Sequence, residues 1–193
     1  MPIIGEVLSL MRADLVRWCS PGGAHQTTTW RTRTVARALI CELGTWAVVE
    51  YRLRCAIRTA PAPFDKPAMV VAGVSRKVIE VVTGISISSG AVIGPGLYIG
   101  HFSGIVVGRG VRIGENCNLS HGVTVGGHHG CPVIGDAVYL AAGAKVFGPI
   151  SIGDHVAIGA NVVVRQSVPS FSTVVVAEPT VLENRRYVKP PEG

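Results

Sequence analysis

The chain has 193 residues, enough for one ordinary domain with a small appendage. A hydrophobic share of 48% excludes a disordered chain, and a charged share of only 16% points to surface buried between subunits. Its 24 glycines follow no Gly-X-Y run, which excludes collagen. The formal net charge of +6 suits an anionic partner such as a phosphorylated cofactor. Much of that charge sits early, in Arg12, Arg17, Arg31, Arg33, Arg37, Arg52, Arg54 and Arg58. This segment lacks the interleaved aromatics of a nucleic-acid surface, so no nucleic-acid partner is expected.

Helical periodicity comes first. Val7, Leu8, Met11, Leu15 and Trp18 recur at three- and four-residue spacing, and Ser20-Pro-Gly-Gly stops that helix. A second helix is predicted over Thr32 to Arg58, bent at Gly44. The run from Ala60 to Pro67 reads as a loop, with Pro67 as the first residue of a third helix that continues from Ala68 to Val82. The apolar stretch Val35–Val49 is broken by Arg37, Glu42 and Gly44 and is too short to span a membrane; no transmembrane segment and no signal peptide are expected. Cys19, Cys41, Cys55, Cys117 and Cys131 show no CxxC pairing, which fits reduced thiols and a cytoplasmic location.

After Gly84 the chain repeats itself. Ile87, Ile93 and Ile99 open a six-residue beat; Val107, Ile113, Leu119 and Val125 continue it after a two-residue excess. An interruption at His128-His-Gly-Cys-Pro follows, and Ile134, Leu140, Val146, Ile152, Ile158 and Val164 resume. Small or aliphatic residues stand four positions after many of these, among them Leu97, Val111, Cys117, Val123, Val138, Ala144, Ile150, Val156 and Val162. Neither a helix nor simple strand alternation has this period. One short strand plus a turn does, and three such units close a triangular coil of about 18 residues. The reading is a mainly β protein: a helical region over 1–84, a parallel β-helix over 85–169 and an extended tail over 170–193 in which Pro190 and Pro191 prevent regular structure. The glycine that often follows each aliphatic marks a corner that needs a positive φ or close packing.

The run from Gly84 to Gly108, with Gly100-His-Phe-Ser-Gly-Ile-Val-Val-Gly at its end, resembles serine O-acetyltransferase, a hexapeptide-repeat acyltransferase with a left-handed β-helix. The segments Ile113 to Gly127, Ala142-Gly-Ala-Lys-Val and Ile158-Gly-Ala-Asn-Val-Val-Val continue the likeness, which also extends to acetyltransferases found among polysaccharide genes. The helical first third resembles a shortened form of the family's helical domain. The likeness implies acetyl transfer from acetyl-CoA to the hydroxyl of a small acceptor, with L-serine implied and a sugar or polysaccharide-precursor hydroxyl as the alternative. No metal is expected. Three departures bear on the acceptor. The family carries an aspartate where Ser86 stands, paired with its catalytic histidine, and another where Gly100 stands; its acceptor-contacting histidine falls at Cys131.

Transfer to a hydroxyl needs a base for the alcohol proton, and histidine titrates near the working pH. By spacing, His101 stands just before the excess in the repeat, where a base and an ordinary solvated histidine are both open readings. The resemblance implies the base, acting by direct attack without an acyl-enzyme. His121 and Cys131, with Ser86, are read as bordering the acceptor, and the loop carrying His128, His129 and Cys131 as a cap on a neighbouring subunit's site. For CoA the resemblance implies a groove between adjacent β-helices; by position Gly126, Ala142 and Ala160 are small corner residues that let it reach backbone, and Lys145 and Arg165 suit phosphates. The expected assembly is a homotrimer, with pairing of two trimers through the helices as an extension. Two remoter readings remain: a non-catalytic β-helix scaffold, and a γ-type metal-dependent hydratase drawing on His101, His121, His128, His129 and Cys131.

Overall fold

In a computed structural model, residues 4–18, 42–58 and 65–177 are described. The predicted helix stop at 20–23, residues 32–41 of the second helix, the loop at 60–64 and the tail from 178 lie outside them. Helix α1 is Ile4–Trp18, α2 is Leu43–Ile57 and α3 is Asp65–Thr83. Fourteen short strands follow, and all of their pairings are parallel.

The strands wind into a parallel β-solenoid of about four turns. Three sheets form its sides. The first joins β1 (Ile85–Ile87), β4 (Ile105–Val107), β7 (Thr124–Gly126), β10 (Lys145–Phe147) and β13 (Val163–Val164). The second joins β2 (Val92–Ile93), β5 (Arg112–Ile113), β8 (Val133–Ile134) and β11 (Ser151–Ile152). The third joins β3 (Tyr98–Ile99), β6 (Asn118–Leu119), β9 (Tyr139–Leu140), β12 (Ala157–Ile158) and β14 (Thr173–Val174).

The six-residue beat falls on the inward positions. Ile93, Ile113, Ile134 and Ile152 stack in one column, and Ile99, Leu119, Leu140 and Ile158 in another, all buried. The residues four positions on complete the same core, Cys117 among them. Burying each such aliphatic side chain contributes roughly 1.5–3 kcal/mol before chain entropy is subtracted. Burial pushes the Cys117 thiol up to about 11, so it behaves as a small hydrophobe. The last rung, Thr173–Val174, carries the solenoid past the expected boundary at Pro169, because the carbonyls of Ser172 and Val174 still accept from the amides of Ala157 and Gly159.

Two corner positions divide the work expected of one. Gly114, directly after Ile113, does not take a positive φ; a Cβ there would lie 2.7 Å from the carbonyl carbon of Gly135 in the next coil. Close packing is what excludes a side chain. The left-handed backbone falls two residues later, at Asn116, Ala137, His155 and Asn161.

The helices cover the open end of the first coil. Arg54 donates to the carbonyl of Ile87, Arg58 to Ser89, Tyr51 to Ala91, and Arg52 to both Ile93 and Gly94. Asp14 accepts from the amides of Gly96 and Leu97 and pairs with Arg52 at 2.8 Å. Burial pushes the Asp14 carboxyl upward in pKa, against the lowering by Arg52 and the two amides. These arginines are therefore occupied by backbone, not displayed to an anionic partner. The second helix also departs from expectation: Glu42 is extended, so the helix starts at Leu43 and does not pass through a bend at Gly44. Gly44 instead lets α2 touch β3, since a Cβ there would sit 2.6 Å from the Ile99 carbonyl oxygen. Helix α3 begins two residues before Pro67, which falls in the first turn, where no N–H is required.

Candidate active site

The corner between the third and first sheets carries a vertical series of residues. Register pairs Ile99 with Leu119, Leu119 with Leu140, and Leu140 with Ile158. Two residues beyond each stand His101, His121, Ala142 and Ala160, successive coils lying about 4.8 Å apart. In the uppermost coil the link from Ile99 to Ile105 is longer than its counterpart from Leu119 to Thr124. Ser103 and Gly104 in it take positive φ, and residues 101–104 are exposed. The two-residue excess, which follows His101, thus opens this corner to solvent. The His101 ring lies edge-on to that of His121, with centroids 5.9 Å apart and planes at 71°.

Backbone bonds fix this corner: Gly122 donates to Ser103, Gly143 to His121 and Asn161 to Ala142. The N–H groups of Ala142 and Ala160 have no acceptor among the described residues. They leave two unbonded backbone donors in register below His121. Lys145 stands on the outward face of the first sheet and donates to the carbonyl of Gly122, beside the histidines.

Ser86 lies on the first rung of the same sheet, in line with Val106, Thr124 and Lys145. Its hydroxyl donates to Glu80 at 2.6 Å. Glu80 also holds Arg76 at 2.7 Å and Lys77 at 3.0 Å. Burial alone would raise the Glu80 carboxyl, but the hydrogen bonds from Ser86, Lys77 and Arg76 outweigh it and hold it at about 2. The sequence reading missed Glu80; the available signal was the i,i+4 pair Arg76/Glu80 at a helix end, six residues before Ser86.

The other predicted residues gather at the opposite corner of the first sheet. Gly126 pairs with Phe147, and Arg165 follows Val164 on the same line. Gly126 is buried, yet a Cβ on it would find nothing nearer than 3.9 Å. Cys131 lies in the loop below, half-buried, with its Sγ donating to the Arg109 carbonyl at 2.9 Å. His128 and His129 are exposed in the same loop. Within one chain, then, His101, His121, Ala142, Ala160 and Lys145 come together, while Gly126, Cys131 and Arg165 form a second group across the sheet. Among the described residues, no three His, Cys, Asp or Glu side chains cluster so as to hold a metal ion, and no helix is long and apolar enough to cross a membrane.

No protein-family model matches the chain. A serine acetyltransferase of Staphylococcus xylosus is 48% identical over 119 residues, which cover 58% of this chain and 54% of that protein. The chain spans about half the length of such curated relatives. The structure of Neisseria gonorrhoeae serine acetyltransferase in complex with serine aligns with a TM-score of 0.73 at 28% identity, covering 91% of this chain and 69% of that one. A serine acetyltransferase solved in complex with CoA aligns with a TM-score of 0.72 at 26% identity, covering 88% and 67%. The solenoid is thus a left-handed β-helix, and the chain is similar, in sequence as well as in fold, to the serine acetyltransferases.

Proposed function

We propose that this chain transfers the acetyl group of acetyl-CoA to the hydroxyl of L-serine, giving O-acetylserine for cysteine biosynthesis. The observation that carries the reading is the expanded corner that sets His101 against His121, in a β-helix 48% identical to a named serine acetyltransferase. His101 is the general base. It takes the hydroxyl proton while the oxygen attacks the thioester carbonyl, and no acyl-enzyme forms. Ser86 and His121 border the acceptor, joined by Cys131 of an adjacent copy. The pantetheine arm lies along the free amides of Ala142 and Ala160, with Gly126 as a further backbone contact, and Arg165 meets phosphate. Lys145, drawn to the Gly122 carbonyl, suits the pantetheine end of CoA better than its phosphates.

The division of these residues between two corners of one sheet supports sites shared between copies, hence a homotrimer. Exposed Val106 and Val163 on that sheet, and Val92 and Val133 on the second, give such contacts apolar surface. Exposed Val70, Val74, Val78 and Val81 on α3 support pairing of two trimers through the helices. The division of labour is a helical region to residue 84, then the catalytic β-helix. Free thiols at Cys55, Cys117 and Cys131 accord with a cytoplasmic location.

A sugar hydroxyl is the second reading. Gly100 brings no carboxylate to hold an acceptor ammonium, and the Ser86 hydroxyl is engaged by Glu80. Release of CoA thiol from acetyl-CoA, followed across L-serine and a panel of sugars, tests both. Turnover with L-serine at least tenfold above every sugar is the expected result; turnover with a sugar alone establishes the second reading, and no turnover with any hydroxyl overturns acetyl transfer.

A further inference from the structure

The vertical order at the corner says more about His121 than that it borders the acceptor. Two imidazoles are followed by two methyl groups, so the side chains shorten immediately below His121. The amides of Ala142 and Ala160, at those two positions, have no acceptor among the described residues. An acyl-thioester arm laid along them ends at His121, one coil short of His101. His121 is exposed, and its ring has no hydrogen-bond partner among the described residues; it stands edge-on to the ring of His101. Ser120 reaches the Tyr139 hydroxyl at 3.5 Å, and the Lys145 ammonium donates to Gly122.

Resting on the acetyl-transfer reading above, we propose that His121 is a catalytic residue, its ring N–H donating a hydrogen bond to the thioester carbonyl oxygen as that oxygen becomes an oxyanion. The acceptor oxygen bonds to the carbonyl carbon, its proton passes to His101, and the carbonyl π pair moves onto the oxygen facing His121. Collapse returns that pair, the C–S bond breaks, and the thiolate takes the proton from His101. A thiol ionises near pH 8.5, so it departs without help from an acid. The charge that needs a donor is therefore on oxygen, and a neutral imidazole supplies one N–H.

The test compares His121→Ala, His121→Gln and His101→Ala in the full chain, with acetyl-CoA and the acceptor identified by the thiol-release assay. His121→Ala is expected to lower kcat about 10²–10³-fold, the range for loss of one oxyanion donor, with the acceptor KM changed less than threefold. His121→Gln, which restores an N–H donor, is expected to recover at least tenfold of that loss. A His121→Ala enzyme that raises acceptor KM at wild-type kcat overturns the proposal and leaves His121 an acceptor contact. Equal defects in the Ala and Gln variants also overturn it. Thermal melting and CoA binding measured on each variant identify a folding defect, against which the Gln variant remains the deciding comparison. Loss of activity in His101→Ala alone contradicts the role of His121 and leaves the base intact; activity retained in His101→Ala contradicts the base itself.

Discussion

Below the first coil, each rung rests on a copy of itself: Ile99 on Leu119, Leu140 and Ile158, none more than 1% exposed. Above it no further rung follows among the described residues, and the carbonyls of Ile87, Ser89, Ala91, Ile93 and Gly94 are met by side chains from α2 and its C-cap Arg58. One region is held by apolar repetition, the other by charge and hydrogen bonds directed at backbone. The difference follows from what a stack of parallel rungs leaves at its end. Its interior satisfies itself, but its edge presents unpaired peptide groups that invite another edge. Guanidinium groups suit that edge, because each carries several donors in a fixed fork. Arg52, Arg54 and Arg58 are thus parts of a structural cap, and their charge says little about a partner.

The largest effect that sharpens this contrast is expected at Asp14. Replacing it by Ala leaves Arg52 buried without its counter-charge and frees the amides of Gly96 and Leu97. A loss of about 3–5 kcal/mol is expected in urea unfolding. Hydrogen exchange should show the loss concentrated in α1, α2 and the first coil, with β7 to β13 still protected. Uniform loss of protection would mean that cap and coils form one cooperative unit. Leu119→Ala, in the middle of the solenoid, should cost about 2–5 kcal/mol and unfold the coils together, since the cavity opens in a continuous core. The smallest effect concerns pH. Glu80 links α3 to β1, and its carboxyl is held at about 2, below the unfolded value of about 4.3. A depressed carboxyl stabilises the fold fully above the unfolded value, and that stabilisation disappears as pH falls toward 2. Melting temperature measured from pH 5 to pH 2.5 should therefore fall more steeply in the wild type than in Glu80→Gln.

The two regions were unequally legible in the sequence. The coils could be read because their period depends on neighbours six residues apart, and the phase survives from Ile87 to Val164 despite two interruptions. The same counting brings His101 and His121 together, since they occupy equivalent positions in consecutive coils. The cap could not be read this way. Arg52 acts on a carbonyl 41 residues away, and Arg54 on one 33 away, with no repeating spacing to announce either. A run of arginines on a helix looks the same whether its partner is a phosphate or a peptide group. Glu80 escaped for a related reason: its importance comes from Ser86, across a helix-to-strand turn. A glycine within a helical pattern reads as a bend because glycine weakens helices, whereas the place of Gly44 is set by the approach of Ile99.

The most direct test of the account is the activity of His101→Ala. His101 belongs to neither the apolar stack nor the polar cap, so its loss should leave the fold and CoA affinity nearly unchanged. Measured by thiol release with the true acceptor, turnover should fall about 10²–10⁴-fold, the range for a positioned acid–base group. Near-normal turnover in a folded, CoA-binding His101→Ala protein would contradict it.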